Sequence, residues 1–179
     1  MAICEDFVKG LSASPPFRVT RAYVGLGSNL GDPAATLRTA AVRLRSLGQI
    51  AGVSQLYETE PVGLEDQPPF RNAVVALDTD LQPLALLDGL QAIEAEFGRE
   101  RTIRWGPRTL DLDVIWYDGA VLESERLTLP HPRAHEREFV LRPLSEVAPE
   151  LPLAGSTVRE LLADLAPQGV RSTGEPLIQ

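Results

Sequence analysis

The spacing of apolar and polar positions predicts alternating strands and helices along most of this chain. A short apolar run at residues 22–26 is typical of a buried strand. Asp32 and Pro33 then form a favourable helix start, because aspartate accepts hydrogen bonds from free amides and proline needs no amide partner there. The same patterns predict strands at residues 22–26, 50–58, 70–77 and 110–117, and helices at residues 33–47, 83–97 and 158–165.

The order of these elements indicates the fold class. Strand, helix, strand, strand, helix, strand is the split βαβ arrangement of ferredoxin-like α+β sandwiches. In this arrangement two helices cover one face of an antiparallel sheet, so the other face is predicted to carry loops and a site. We expect residues 21–166 to form one folded domain, with an N-terminal extension at 1–20 and a C-terminal tail at 167–179.

The composition narrows the classes of function. The formal net charge of −8 argues against a nucleic-acid partner, because such binding depends on a large positive surface. Apolar runs are too short to cross a bilayer, and the first residues do not resemble a secretory signal, so no membrane partner is expected. Cys4 is the only cysteine, which excludes an internal disulfide and favours a reducing, cytoplasmic location.

The segment RWGPRTLDLD, residues 104–113, carries the strongest chemical signal. Side chains alternate along a strand, so Asp111 and Asp113 project from one face, about 6–7 Å apart. Two carboxylates this close repel each other unless a cation lies between them. Magnesium binds carboxylate and phosphate oxygens, and arginines concentrated at residues 99–142 favour an anionic ligand. The segment is therefore suited to one or two Mg²⁺ ions that hold a polyphosphate.

The segment GLGSNLGD, residues 25–32, follows a predicted strand and opens a helix. Its sixth position is Leu30, where a dinucleotide-binding motif needs glycine. We interpret the segment as a tight turn in which the glycines and Asn29 take unusual backbone angles. As a minor role, we expect the backbone of this segment to lie close to a ligand.

The segment PHPRAHEREFVLRPL, residues 130–144, contains both histidines of the chain. Pro132 disfavours a continuous helix through His131 and His135, which argues against a pair of metal ligands on one helix face. Arginines lie close to His131 along the chain, so a phosphate contact is the better interpretation for this histidine.

The chain resembles the 6-hydroxymethyl-7,8-dihydropterin pyrophosphokinase family of the folate pathway. The resemblance covers residues 22–153 and rests on four segments in order: GLGSNLGD, ETEPVGLEDQPPFRNAVVAL, RWGPRTLDLD and PHPRAHEREFVLRPL. It implies a ferredoxin-like fold and transfer of the β,γ-diphosphate of MgATP to the pterin hydroxymethyl group, with release of AMP. It also implies two Mg²⁺ ions, and ATP as the co-substrate.

The resemblance further implies roles for individual residues. Asp111 and Asp113 match the magnesium ligands and, with Arg99 and Arg108, are expected to carry the catalysis. The positions that match the pterin pocket are Asn72 for ring hydrogen bonds, Phe70 and Phe139 as stacking faces, and backbone at Gly27, Thr59 and Val62. The positions that match ATP contacts are Gln91, Glu94, Arg99, Trp105, Arg108, Arg126, Thr128, His131 and Arg137.

Two other classes of function are weighed against this one. A Rossmann-type dinucleotide oxidoreductase needs a parallel sheet and a complete glycine motif. A non-catalytic ferredoxin-like module that binds RNA or a regulatory ligand would have aromatic pairs and basic surroundings on its strands, where this chain has Asp111 and Asp113. We therefore predict a cytoplasmic, monomeric enzyme that acts on ATP and a pterin, without nucleic-acid or membrane partners.

Overall fold

The computed structural model describes residues 19–61, 67–98 and 108–178. Within these residues a six-stranded main sheet is accompanied by two short hairpins. The strands are β1 (Thr20–Ser28), β2 (Gln49–Val53), β3 (Gln55–Thr59), β4 (Phe70–Thr79), β5 (Asp111–Tyr117), β6 (Leu122–Glu123), β7 (Thr128–Leu129), β8 (Pro152–Leu153), β9 (Ser156–Thr157) and β10 (Arg171–Pro176). The helices are α1 (Pro33–Arg43), α2 (Pro83–Glu96), α3 (Glu138–Val147) and α4 (Val158–Asp164).

The main sheet has the strand order β10–β3–β4–β1–β5, and β2 also pairs with β4. Each of these pairs is antiparallel. With β2 and β3 taken as two parts of one strand, the order of the inner strands is that of a ferredoxin-like sandwich. The predicted α+β fold class is confirmed, and the antiparallel pairing excludes a Rossmann-type sheet.

The main hydrophobic core lies between one face of the sheet and helices α1 and α2. α1 begins as predicted, with Asp32 accepting a hydrogen bond from the Ala35 amide at 3.0 Å and Pro33 in the first turn. Among the described residues, no helix is long and apolar enough to span a membrane. Strand residues of this core include Ala22, Val24, Leu26, Ala73, Val75, Leu77, Leu112 and Val114, and helix residues include Leu37, Leu44, Leu86, Leu90 and Ile93.

The opposite face of the sheet is partly covered by α3 and α4, which corrects the prediction that it carries only loops and a site. Leu141 and Leu144 of α3 belong to a second core with strand residues Tyr23 and Val74. The pattern does not predict α3 because Pro143 lies inside it, and proline removes one hydrogen bond from a helix. Burial of the leucines offsets that loss. Among the described residues, no helix covers the rest of this face, which is called the open part of the sheet below.

The strand predicted at residues 50–58 is divided at Ser54 into β2 and β3. The Ser54 amide donates to the Val74 carbonyl at 3.0 Å, and its hydroxyl accepts from the Val74 amide at 2.9 Å. The register against β4 shifts by one residue between the two strands, as at a β-bulge. As a result, β3 continues along β4 towards the open part of the sheet.

The C-terminal residues belong to the sheet, which corrects the prediction of a tail at 167–179. β10 pairs with β3, and Leu177 is fully buried in the main core. The sequence of β10, RSTGEP, has no apolar alternation and contains glycine and proline, so no strand pattern is visible in it. At the other end, residues 1–18 of the predicted extension lie outside the described residues, and β1 begins at Thr20.

Candidate active site

The open part of the sheet places predicted site residues in two adjacent rows. Asn72 on β4 lies opposite Gly27 on β1, and Gly27 lies opposite Asp111 on β5. In the next row, Gly25 lies opposite Asp113. Residues two apart on a strand share a face, so both aspartates and both glycines belong to this open face.

Gly27 keeps the first row open because it has no side chain. A Cβ atom at this position would lie 3.3 Å from Asn72 Oδ1 and 3.9 Å from Asp111 Cβ. Without it, space remains between the amide and the carboxylate. This space supports the expected close approach of a ligand to the Gly27 backbone.

The first cavity, of about 400 Å³, opens above these rows. Asn72 is buried at its edge, and its Nδ2 donates to Thr59 Oγ1 at 3.1 Å, which orients the amide. Phe70 at the start of β4 and Phe139 in the first turn of α3 provide aromatic surface. The predicted pterin-pocket residues that line this cavity are Gly27, Thr59, Phe70, Asn72 and Phe139. Val62 lies outside the described residues.

The second cavity, of about 300 Å³, is bordered by α2, by β5 and by residues 124–132, and it shares Asp113 with the first. Predicted ATP-contact residues that line it are Gln91, Glu94, Arg126, Thr128 and His131. Arg108 and Arg137 line the first cavity instead. Arg99 and Trp105 lie outside the described residues. Ligands held in the two cavities would meet beside Asp113.

Glu94 on α2 is buried, with an exposed fraction of 3%. Its Oε1 accepts a hydrogen bond from the Leu112 amide at 2.7 Å. Leu112 lies between the two aspartates, so this bond fixes the stretch of β5 that presents them. Glu94 therefore supports the carboxylate pair in addition to lining the second cavity.

The two carboxylates have guanidinium groups close to them. Arg108 forms an ion pair with Asp111 through its Nη1 atom. Arg137 is half-buried, and its guanidinium carbon lies 5.6 Å from the centre of the Phe139 ring. Burial and the charge of Arg133 lower the pKa of Arg137, whereas Asp113 and Asp111 raise it. The arginines and aspartates thus form a region of mixed charge at the junction of the two cavities.

The aspartates are the residues here that could hold a metal. Within the described parts of the chain, no group of three or more His, Cys, Asp or Glu side chains is arranged around a common point. Magnesium is commonly bound by one or two carboxylates, with water and substrate phosphates as its other ligands. Two carboxylates beside two glycines fit that pattern, and they do not fit a closed all-protein metal site.

His131 is held so that its Nε2 atom can act as a donor. Its amide donates to the Ile115 carbonyl at 2.8 Å, and its Nδ1 accepts from the Arg133 amide at 3.1 Å. Burial, followed by the charge of Arg137, lowers the pKa of the imidazole. The neutral ring therefore carries its proton on Nε2, which suits a contact to a phosphate oxygen.

Asn29 connects three segments around the site, and the sequence did not identify it as a site residue. The backbone amide of Asn29 donates to the Arg108 carbonyl at 3.1 Å, and its side-chain Oδ1 accepts from the backbone amide of Arg108 at 2.8 Å. Its Nδ2 donates to Gln67 Oε1 and to the Pro68 carbonyl, both at 3.0 Å. The prediction of an unusual backbone angle at Asn29 was wrong, since the positive φ of 66° belongs to Gly31.

Other residues of the first cavity were also missed by sequence reasoning. They are Glu60, Gln67, Arg133, Glu136 and Gln168. These positions are contributed by loops and by the segment after α4, and their common feature is position in space rather than a spacing along the chain. No periodic signal exists that would have grouped them.

Comparisons with known proteins address the family of this chain. Residues 23–149 match the sequence model of the 7,8-dihydro-6-hydroxymethylpterin-pyrophosphokinase (HPPK) family. The chain is 51% identical over 154 residues to the 2-amino-4-hydroxy-6-hydroxymethyldihydropteridine pyrophosphokinase of Methylorubrum extorquens, across 85% of this chain and 98% of that protein. It is 47% identical over 155 residues to the Pseudomonas aeruginosa protein of the same name, across 85% and 96%.

The fold is also similar to that of a solved structure with low sequence identity. A crystal structure of Plasmodium falciparum HPPK-DHPS has a TM-score of 0.65 and 17% identity, over 87% of this chain and 44% of that longer chain. The family match includes β1, β3, β4, α2, β5 and α3, each of which contributes lining residues to at least one of the two cavities. The chain therefore belongs to the 7,8-dihydro-6-hydroxymethylpterin-pyrophosphokinase family.

Proposed function

We propose that this chain transfers the β,γ-diphosphate of MgATP to the hydroxymethyl group of 6-hydroxymethyl-7,8-dihydropterin and releases AMP, as a step of folate biosynthesis. The observation that carries this proposal is that two cavities of different character share Asp113. One offers aromatic and amide groups for a flat heterocycle. The other is bordered by polar residues of α2 and of the loop that carries His131. The names of the two bacterial relatives describe this activity.

The first cavity suits the pterin. Phe70 and Phe139 offer aromatic faces for stacking on a flat ring. Asn72 has an amide that can both donate and accept hydrogen bonds, as the edge of a pterin requires. Thr59 holds that amide in one orientation. Backbone groups of Gly27 and Val62 would complete the contacts with the pterin. The role of Val62 is inferred from the family resemblance alone.

Asp111 and Asp113 are the residues that would hold two Mg²⁺ ions. Bound there, the ions would neutralise the negative charge of the polyphosphate. Arg108 forms an ion pair with Asp111, so its guanidinium lies where phosphate oxygens would be expected. Arg137 and the Nε2 donor of His131 border this region from the side of α3.

The transfer needs positioning more than it needs a nucleophilic side chain. The hydroxymethyl oxygen bonds to the β-phosphorus of ATP, the bond from that phosphorus to the bridging oxygen of the α-phosphate breaks, and the hydroxyl proton is released. The chain holds the two oxygens in line and stabilises the negative charge that moves onto AMP. We assign the nucleotide to Gln91, Glu94, Arg99, Trp105, Arg126 and Thr128, and the phosphates to Arg108, His131 and Arg137.

Product identity tests the proposal. Incubation of the protein with MgATP and 6-hydroxymethyl-7,8-dihydropterin is expected to give AMP and the pterin diphosphate ester in equal amounts. Omitting the pterin, or adding EDTA, should stop AMP formation. Formation of ADP, or of AMP at the same rate without pterin, would contradict the proposed reaction.

We also propose that the enzyme acts as a monomer in the cytoplasm. The described residues of one chain build both cavities, and a single cysteine suits a reducing compartment. Light scattering coupled to size-exclusion chromatography should give the mass of one chain, 19.5 kDa, and twice that mass would contradict the monomer.

A further inference from the structure

The segment that follows α4 reaches the first cavity, although it lies beyond residues 23–149, the part that matches the family. Gln168 lines the cavity and makes three hydrogen bonds to residues at, or just before, the start of α3. Its Oε1 accepts from the Glu138 amide at 3.0 Å, and its Nε2 donates to the Glu136 carbonyl at 2.8 Å. The backbone amide of Gln168 donates to Glu138 Oε2 at 2.5 Å.

These bonds cap a helix from a distant part of the chain. The first amides of a helix have no partner within the helix, and a side chain at the N-cap position usually supplies one. The N-cap residue of α3 is Arg137, whose side chain makes no such bond. Gln168, thirty residues away along the chain, supplies the acceptor instead. Glu138 lies between Arg137 and Phe139, so the bonds fix the backbone from which both side chains enter the cavity.

The same segment is attached to the opposite wall of the cavity. Arg171 pairs with Glu58 in the β10–β3 register, and its Nη2 atom lies 3.0 Å from Glu58 Oε1 and 3.2 Å from Glu60 Oε1. Thr59, between these two glutamates, lines the cavity and holds the Asn72 amide. Gly169 has a φ of 79°, which lets the chain turn between the two attachments.

We infer that residues 168–171 form a C-terminal brace and that Gln168 is a positioning residue for the pterin. The brace joins the wall that carries Phe139 to the wall that carries Thr59, and it thereby sets the separation between the stacking ring and the hydrogen-bonding amide. None of its residues lines the second cavity. The inference rests on the proposed assignment of the first cavity to the pterin, and it predicts an effect on pterin binding without a matching effect on ATP.

Kinetic measurements on Gln168→Leu test the brace. Leucine keeps a similar volume and removes both side-chain hydrogen bonds, so the KM for the pterin should rise about tenfold, equivalent to about 1.4 kcal/mol. The KM for ATP and kcat should remain within about twofold of wild type. Arg171→Met, which releases the other attachment, should raise the pterin KM in the same direction by a smaller factor.

Thr173→Val is the matched control. It removes two hydrogen bonds of the Thr173 hydroxyl, which donates to the Leu56 carbonyl at 2.9 Å and accepts from the Glu175 amide at 3.1 Å. Thr173 lines neither cavity. Its melting temperature should fall as much as that of Gln168→Leu, with no change in the pterin KM. A pterin KM that rises equally in Gln168→Leu and Thr173→Val, or that rises together with the ATP KM, would overturn the brace. Wild-type protein in the same assay separates the two proposals, because failure to form AMP at all would overturn the proposed function itself.

Discussion

The two faces of the main sheet are built from alternating residues of the same strands, and they differ in composition along their length. The face under α1 and α2 is apolar over most of its length. The opposite face is apolar only where α3 and α4 cover it. The end that lines the first cavity carries Gly27, Asn72, Asp111 and Asp113. A step of one residue along β5 therefore separates a position that stabilises the fold from one that is assigned to chemistry.

This arrangement explains how the site can be polar without weakening the domain. Carboxylates side by side on one face of a sheet repel each other, and this repulsion must be offset elsewhere. Here the offset lies directly behind them, in Leu112 and Val114, which are almost fully buried. Buried apolar side chains of this size each contribute about 1.5–3 kcal/mol. The faces should therefore respond differently to substitution.

The largest expected effect is on the chemistry of the open face. Asp113→Asn should lower the rate of AMP formation about 10³-fold, because the amide no longer supplies a negative ligand where phosphate charge is held. Asp111→Asn should act similarly. Asp113 is exposed, so its replacement should leave the melting temperature close to that of wild type. A variant that lacks either carboxylate and turns over at a near-normal rate would contradict the assignment.

The neighbouring position should show the reverse behaviour. Leu112→Ala is expected to lower the free energy of unfolding by about 2–5 kcal/mol, since it leaves a cavity in the main core. Molecules that remain folded should retain a kcat within a few-fold of wild type. Urea unfolding and AMP formation, measured on the same sample, check both statements. A loss of turnover as large as that of Asp113→Asn would mean that the two faces are not separable.

Arg108 tests whether the open face needs geometry as well as charge. Arg108→Lys keeps the positive charge and loses the planar fork that binds two oxygens at once, so turnover should fall about thirtyfold. Arg43→Lys is the control, because Arg43 forms an exposed pair with Glu96 outside both cavities and its change should have little effect. If Arg108→Lys matches wild type while Arg108→Ala is inactive, a point charge is sufficient.

The parts of the fold that the sequence predicts are those held by periodic burial. β1, β4, β5, α1 and α2 repeat apolar residues at the spacing of a strand or a helix, and each was predicted at nearly its observed place. The same alternation placed Asp111 and Asp113 on one face. The antiparallel order of strands then followed from the order of elements along the chain.

The parts that were not predicted are held by contacts between residues far apart in the sequence. α3 has its leucines on one side, but Pro143 hides the helical pattern. β10 has no buried residue within it and depends on Leu177, which follows it. Asn29 acts through hydrogen bonds to loop residues and Gln168 through bonds to the start of α3, and such bonds leave no period in the sequence. Loop and cap contacts therefore appear only when the elements are assembled.

The smallest of these effects concerns Glu138, where the separation between site and stability is incomplete. This carboxylate lies on the site side of the sheet beside Phe139, yet it is buried, with 3% exposed. Burial alone would raise its pKa, but hydrogen bonds from Arg142 and from the Gln168 amide outweigh burial and lower the pKa below its usual value. Glu138→Gln should reduce the free energy of unfolding at neutral pH by about 1–2 kcal/mol, because hydrogen bonds to a charged group contribute about 1.5–3 kcal/mol and those to a neutral amide contribute less.

The pH dependence of that difference follows from the direction of the shift. A lowered pKa in the folded state means that the charged carboxylate stabilises the fold at pH values above the unfolded pKa of about 4.3. The stabilisation is lost as the pH falls through the lower folded value, so wild type and Glu138→Gln should converge in strong acid. Glu136→Gln, at an exposed carboxylate two residues earlier, should show no such convergence because it differs little from wild type at any pH. Urea unfolding of the three proteins between neutral and acidic pH gives the result directly. A constant difference between wild type and Glu138→Gln at every pH would mean that its charge contributes nothing to stability and that the carboxylate serves only as a neutral acceptor for Gln168.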